Sequence, residues 1–238
     1  MKRKAVLFTV VLLILCFLPG AFLFPQKTES SPSIRPVYVI PITGEIDQGL
    51  TVFLRRSIEK AKADNAVRII FDIDTFGGRV DSALQITTLI GSLNDIATIA
   101  YVGLNPDGSA VSWSAGALIA FSTDRIYMAP GTSMGAAAPV IQSTEGGTQF
   151  ADEKTVSAVR TQMAALAEKN GYPKAIALSM VDMDIELLEI LENGEVRAMT
   201  RNEYETLLRN APETRAVAEG RTISAKGKLL SLTAPTAS

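Results

Sequence analysis

The sequence predicts an α/β fold with a parallel sheet, and three features between residues 37 and 140 support this. Runs of β-branched residues, typical of buried strands, alternate with segments whose apolar residues recur at helical spacing. Turns that contain glycine or proline separate these segments. Such an alternation indicates helical crossovers between parallel strands of one sheet.

The individual elements follow from local patterns along the chain. Strands are predicted at residues 37–42, 67–73, 98–102 and 125–128, and helices at 50–63, 81–93, 112–121, 152–170 and 174–180. In the first helix, residues 50, 53, 54, 58 and 61 are apolar and charges occupy the other face. Residues 75–78 form a turn.

The chain after residue 140 is predicted in less detail. The polar, glycine-containing segment 141–150 indicates a mobile loop. Residues 186–197 fit a β-hairpin, with Asn193 and Gly194 at the turn. A last strand is expected within residues 226–233.

The N-terminus has the pattern of a membrane segment. A basic start is followed by residues 5–24, which carry no charge. Twenty helical residues span roughly 30 Å, the thickness of a bilayer core. We expect residues 1–24 to be a single-pass anchor, with a cleaved signal segment as the alternative, and residues 25–36 to be a linker. The basic flank stays cytoplasmic, so residues 37–238 are expected on the extracytoplasmic side.

Composition excludes several kinds of site. The 238 residues include no histidine and one cysteine, Cys16. A Ser-His-Asp or Cys-His arrangement within this chain is therefore excluded, and so is a cysteine-based zinc site. Acid–base chemistry would need Lys, Asp, Glu or Tyr. No basic stripe with interleaved aromatics is present, which disfavours nucleic acid as a partner. We predict no metal and no cofactor.

Three local motifs are candidates for chemistry, and each has a plain structural alternative. Ser114 precedes small residues at a predicted helix start, where backbone amides can face a developing negative charge, but Ser112 or Ser114 can equally be a helix cap. Gly77 and Gly78 let the backbone turn sharply beside a ligand, or they form an ordinary turn. Lys154 can act as a base if it is desolvated, or it is a surface lysine.

Four ordered segments resemble signatures of the NfeD family of membrane-bound serine proteases. They are residues 37–47, 73–81, 114–120 and 126–140, and the resemblance covers residues 36–180, with a weaker similarity at 227–234. Phe76 and Trp113 depart from the family pattern, which usually has proline at the first position. The loop at 103–113 is also longer and more polar than usual.

The resemblance implies a ClpP/crotonase-like fold of stacked β-β-α units across residues 37–238. It implies a catalytic dyad of Ser114 and Lys154, and an oxyanion hole formed by the backbone amides of Gly78 and Ala115. Gly77 and Trp113 are then expected to contact substrate. The lysine base agrees with the lack of histidine.

The resemblance also implies a function. Family members cut hydrophobic segments, so a stomatin-like membrane protein, or its apolar C-terminal peptide, is the expected partner. Relatives of this fold usually oligomerise, and a homodimer or larger assembly is expected. Two alternatives remain open at this point. One is a scaffold of the same fold that binds such a partner without cutting it, and the other is an acyl-CoA enzyme. The N-terminal segment argues against the latter, because such enzymes are mostly cytosolic.

Overall fold

A computed structural model describes residues 35–103, 110–142, 147–210 and 217–236. The helices are α1 (Gln48–Ala63), α2 (Val80–Gly91), α3 (Ala115–Ala120), α4 (Glu153–Asn170), α5 (Lys174–Val181) and α6 (Arg201–Asn210). The strands are β1 (Val37–Ile46), β2 (Arg68–Gly78), β3 (Ala97–Val102), β4 (Val111–Trp113), β5 (Arg125–Met128), β6 (Ser133–Gly135), β7 (Val140–Gln142), β8 (Thr148–Phe150), β9 (Leu187–Glu192), β10 (Glu195–Thr200), β11 (Val217–Ser224) and β12 (Ser231–Thr233).

The main sheet is organised around the long strand β2. β1 runs parallel to β2 on one side, and on the other side β2 pairs first with β3 and then, at its carboxyl end, with β4. The full order is β12-β6-β4-β2-β3-β5, with β1 paired to β2 off this path. Within this main sheet, all strand pairs are parallel except β12–β6. The α/β class is confirmed, and repeated strand–helix units fit the ClpP/crotonase-like expectation.

The buried face of β2 forms the centre of the apolar core. Ile69, Phe71 and Ile73 alternate with less buried residues, as expected for a strand covered by helices on one face. Helix α1 begins at Asp47, whose Oδ1 accepts a hydrogen bond from the backbone N–H of Leu50 at 2.7 Å. The core therefore fixes β2 firmly, and the carboxyl end of β2 leads directly into the candidate site.

Replacing Phe71 by alanine is expected to lower the free energy of unfolding by about 3–5 kcal/mol, because the ring is fully buried and leaves a cavity. The matched control is Phe53→Ala on α1, where the ring is 44% exposed and the change is expected to stay within about 1 kcal/mol. Urea unfolding of the full chain measures both variants. Equal losses of unfolding free energy in the two variants would contradict the placement of Phe71 in the core.

A second, three-stranded sheet has the order β10-β9-β11. The predicted hairpin is confirmed: β9 and β10 are antiparallel, and Asn193 and Gly194 turn between them with φ of 52° and 86°. Both values are positive, as a two-residue type I′ turn requires. Helix α6 and strand β11 complete this part of the chain, and neither was predicted.

Three predictions of local structure need correction. Residues 141–150 were predicted as a loop, but β7 and β8 pair there, with Val140 opposite Phe150, because β-branched and aromatic residues favour strand pairing. Residues 112–121 were predicted as one helix, but residues 111–113 form β4, which is held by pairing on both sides. The last strand is shorter than predicted and comprises only Ser231–Thr233.

The predicted membrane segment, residues 1–24, and most of the linker lie outside the described residues. Within the four described ranges, no helix combines the length and the apolar composition that a bilayer crossing requires.

Candidate active site

A tight turn at the end of β2 forms one wall of the site. The Thr75 hydroxyl donates to the carbonyl of Gly44 and accepts from the backbone N–H of Gly77 at 3.0 Å, which fixes the turn from inside. Gly77 and Gly78 have φ of 113° and 155°, a backbone conformation that side chains rarely allow. A Cβ at Gly78 would lie 2.4 Å from the carbonyl oxygen of Ile46, so glycine is required there.

Ser114 lies between β4 and α3 in a strained conformation, with φ 52° and ψ −118°. Its backbone N–H donates to the carbonyl of Gly135 at 2.9 Å, which ties the turn to β6. Non-glycine residues held in such regions cost about 1–3 kcal/mol and cluster at functional sites. The side chain is half-buried. The strain therefore supports a functional reading of Ser114 over a simple helix cap, and no side-chain capping bond from Ser114 is present in α3.

The glycine turn and Ser114 come together in space. A Cβ at Gly77 would lie 2.7 Å from Cβ of Ser114 and 3.4 Å from the backbone nitrogen of Ala115. A small cavity of about 20 Å³ adjoins them, lined by Gly78, Val80, Ala83, Ser114, Ala115, Leu118, Ala137, Pro139 and Val159. That volume holds about one water molecule, so the cavity suits a small side chain.

The amide of Ala115 is the first of α3. The hydrogen-bond ladder of this helix begins with Ala117 and Leu118, whose N–H groups donate to the carbonyl of Ser114. The N–H of Ala115 precedes that ladder and has no acceptor within the helix. Since Ala115 and Gly78 both line the cavity beside Ser114, the two predicted oxyanion residues lie next to the predicted nucleophile.

Lys154 does not belong to this group of residues, although its helix contributes to the cavity. It is the second residue of α4, its side chain is exposed, and it is not part of the cavity lining. Val159 on the same helix does line the cavity, five residues or roughly 7.5 Å further along the axis. The structure thus brings Gly77, Gly78, Ser114 and Ala115 together, whereas Lys154 stands at the helix start outside the cavity.

The start of α4 is well defined. The Oδ1 of Asp152 accepts a hydrogen bond from the backbone N–H of Thr155 at 2.8 Å. Hydrogen bonding from Thr155 lowers the pKa of the Asp152 carboxyl, and the charge of Lys154 lowers it further. Lys154 therefore sits on a capped helix end and not on a loose segment.

Trp113, predicted to contact substrate, is anchored beside Ser114. Its Nε1 donates to Oγ of Ser133 at 2.9 Å, and its ring meets Phe76 edge to face with centroids 5.4 Å apart. Phe76 was noted in the sequence only as a departure from the family pattern, so its contact with Trp113 was missed. Local sequence carries no signal for this contact, because it depends on the pairing of β2 with β4.

Two acidic residues on β2 lie on the approach to the glycine turn. Oδ1 of Asp74 accepts from the backbone N–H of Val111 at 3.1 Å, which fixes the start of β4. The pKa of Asp72 is raised, mainly by burial and also by the nearby charge of Asp74. Neither carboxylate was predicted to take part in the site, although Asp74 begins the motif that contains the glycine turn. The role of Asp74 is structural, since it positions the strand that carries Trp113 towards Ser114.

Comparison with known proteins places this arrangement in a family. Residues 36–217 match the family described as NfeD1b, N-terminal domain. The membrane protein NfeD1b of Bacillus subtilis (strain 168) is 43% identical over 156 residues, which are 66% of this chain and 33% of that protein. The membrane-bound protease PH1510 of Pyrococcus horikoshii is 33% identical over 192 residues, which are 79% of this chain and 43% of that protein.

Solved structures of one protease are similar as well. A lysine-to-alanine mutant of the 1510-N membrane-bound stomatin-specific protease, in complex with a substrate peptide, has a TM-score of 0.58 and 31% identity, covering 75% of this chain and 74% of that one. A serine-to-alanine mutant of the same protease has a TM-score of 0.57 and 31% identity, covering 75% and 78%.

The chain spans less than half the length of either curated relative. The family match nevertheless includes the glycine turn, Ser114 and the helix that carries Lys154. This chain belongs to the NfeD family, and residues 36–217 are its NfeD1b N-terminal domain.

Proposed function

We propose that this chain is a membrane-tethered serine endopeptidase that cleaves apolar segments of membrane-associated proteins. The observation that carries the proposal is the strained backbone of Ser114 directly beside the backbone amides of Ala115 and the glycine turn. Such a turn presents a hydroxyl and nearby N–H donors to one point in space, which acyl transfer requires.

The proposed reaction uses Ser114 as nucleophile and Lys154 as base. Ser114 Oγ attacks the peptide carbonyl carbon and its proton passes to Nζ of Lys154, which returns it to the leaving amine as the C–N bond breaks. Water then attacks the acyl ester, and release of the acid restores the Ser114 hydroxyl. The backbone amides of Gly78 and Ala115 would stabilise the oxyanion, a contribution of roughly 3 kcal/mol per donor.

The relatives support the substrate class. One solved relative is named as stomatin-specific and is bound to a substrate peptide, and variants of that protease replace a serine or a lysine. By analogy, the partner proposed here is a stomatin-like membrane protein or its apolar C-terminal peptide. Membrane attachment would use residues 5–24, with the protease domain on the extracytoplasmic side, and the active form would be a homodimer or a larger homo-oligomer.

A non-enzymatic scaffold is the second candidate, and the position of Lys154 favours it. The exposed side chain of Lys154 lies outside the cavity that contains Ser114. A chain of this kind could bind the same apolar peptide beside the glycine turn without cutting it. The two functions differ in whether Ser114 becomes acylated.

The test uses the full chain in detergent micelles with a stomatin-like apolar peptide and, in parallel, a peptidyl phosphonate that reacts with activated serines. Mass spectrometry is expected to find two peptide products and a phosphonate adduct on Ser114. Binding of the intact peptide with neither product nor adduct would overturn the protease proposal in favour of the scaffold. An adduct on another serine would overturn the assignment of the nucleophile.

A further inference from the structure

An exposed pair of aromatic rings adjoins the candidate site and takes no part in the proposed chemistry. Phe76 is 75% exposed and Trp113 is 37% exposed, although each flanks a residue of the site, Gly77 or Ser114. The two rings meet edge to face and form one apolar surface. Exposure of this surface to water is unfavourable in free energy. A surface of this kind beside a catalytic turn needs an explanation.

Strand geometry places the two rings on one face of the sheet. Thr75 of β2 and Ser112 of β4 are register partners and are both buried. Since side chains alternate along a strand, Phe76 and Trp113, the next residue of each strand, point to the opposite face. At Gly77 the chain returns to the buried face, where a Cβ would meet Ser114.

The cavity beside Ser114 and the aromatic pair therefore lie on opposite faces of the same strand ends. A peptide bound in extended form beside such strand ends has the same two-residue alternation. When one of its side chains enters the small cavity, the side chains of the adjacent residues point towards the face that carries the rings.

We infer that the Phe76–Trp113 pair is a substrate subsite for a large apolar side chain next in sequence to the small residue that enters the cavity. The inference rests on the proposed function and adds a substrate pattern to it, a small residue beside a bulky apolar one. The hydrogen bond from Nε1 of Trp113 to Ser133 satisfies the polar edge of the indole, so the exposed part of the ring can take an apolar group without leaving this N–H unpaired.

Cleavage kinetics of the full chain in detergent test the pattern. Two peptides keep alanine at the cleaved position and carry either phenylalanine or alanine next to it. We expect kcat/KM to favour the phenylalanine peptide by about tenfold or more. Phe76→Ala and Trp113→Ala should each reduce this preference to about twofold or less, mainly through KM, while cleavage of the alanine peptide continues. Phe53→Ala, which removes an exposed ring on α1, should keep the full preference.

Trp113 also reports binding directly, because it is the only tryptophan of the sequence. Ser114→Ala protein is titrated with each peptide, and its tryptophan emission is compared with the anisotropy of a labelled peptide. A saturable blue shift is expected with the phenylalanine peptide and a much smaller one with the alanine peptide. Binding of the phenylalanine peptide without a change in emission would overturn the subsite, and so would a failure of the phenylalanine peptide to bind.

These readouts separate the two proposals. If the wild-type chain cleaves neither peptide but the emission shift occurs, the protease proposal fails and the subsite stands. If cleavage occurs with equal preference in wild type and both ring variants, the subsite fails and the protease stands. Without peptide, the tryptophan emission should not depend on protein concentration. If it does, the Phe76–Trp113 pair contacts a second copy of the chain, and the subsite is also overturned.

Discussion

Replacing Ser114 by alanine is expected to lower kcat/KM for an apolar peptide by about 10⁴-fold or more, because the chain loses its nucleophile and retains only binding and the backbone amides. The stability of the fold should change little. Alanine accepts the φ of 52° at about the same cost as serine, and the Ser114 side chain makes no capping hydrogen bond in α3. Activity is measured by initial rates and stability by thermal unfolding.

The matched control is Ser112→Ala, two residues earlier and within β4. Ser112 is fully buried, and its Oγ has no hydrogen-bond partner among the described residues. Losing an unpartnered buried hydroxyl is close to neutral or stabilising. We therefore expect rates within about threefold of wild type. A loss in Ser112→Ala as large as in Ser114→Ala would show that the whole strand end is sensitive, and would contradict a nucleophilic role for Ser114.

The elements that could be predicted from the sequence are those whose structure local residues determine. The hairpin at residues 187–200 follows from Asn193 and Gly194, whose positive φ values are intrinsic to that turn. The alternating core of β2 follows from its β-branched residues. The glycine turn was identified because glycine permits a sharp turn after a buried strand. Ser114 was identified because small residues follow it at a predicted helix start.

Elements that depend on pairing were harder to predict. Residues 111–113 are too short a segment for a local pattern to predict a strand, and they become β4 only between β2 and β6. Helix α6, in contrast, carried a local signal that was overlooked. Thr200 and Glu203 form a reciprocal capping box, in which Oε2 of Glu203 accepts from the N–H of Thr200 at 2.8 Å and Oγ1 of Thr200 accepts from the N–H of Glu203 at 3.2 Å.

The contact between Phe76 and Trp113 is a feature of the site that local sequence could not predict. The sequence separates these residues by the whole of α2 and β3, so only the register of β2 with β4 brings the rings together. The position of Lys154 is likewise a tertiary property. Its helix was predicted well, but whether its side chain enters the cavity depends on how α4 packs, which no local pattern determines.

Replacing Lys154 by alanine is expected to lower kcat/KM by about 10²–10⁴-fold, the range for loss of a general base. Lys154→Arg should not restore activity, because a guanidinium stays protonated and cannot accept the proton of Ser114. Lys62→Ala, an exposed lysine on α1, is the control.

The exposure of Lys154 adds a second expectation to this experiment. Lys154 is exposed and lies outside the cavity, so the proposed role requires that peptide binding bring Nζ out of solvent and next to Oγ of Ser114. Acylation of Lys154 by a small amine-reactive acylating reagent should therefore be fast in the free chain and much slower in the peptide complex of Ser114→Ala. Mass spectrometry measures the extent of acylation. Lys62 should react equally in both. If Lys154→Ala retains activity within about twofold, or if peptide leaves the reactivity of Lys154 unchanged, the base is a different group and the Ser114–Lys154 dyad is wrong for this chain.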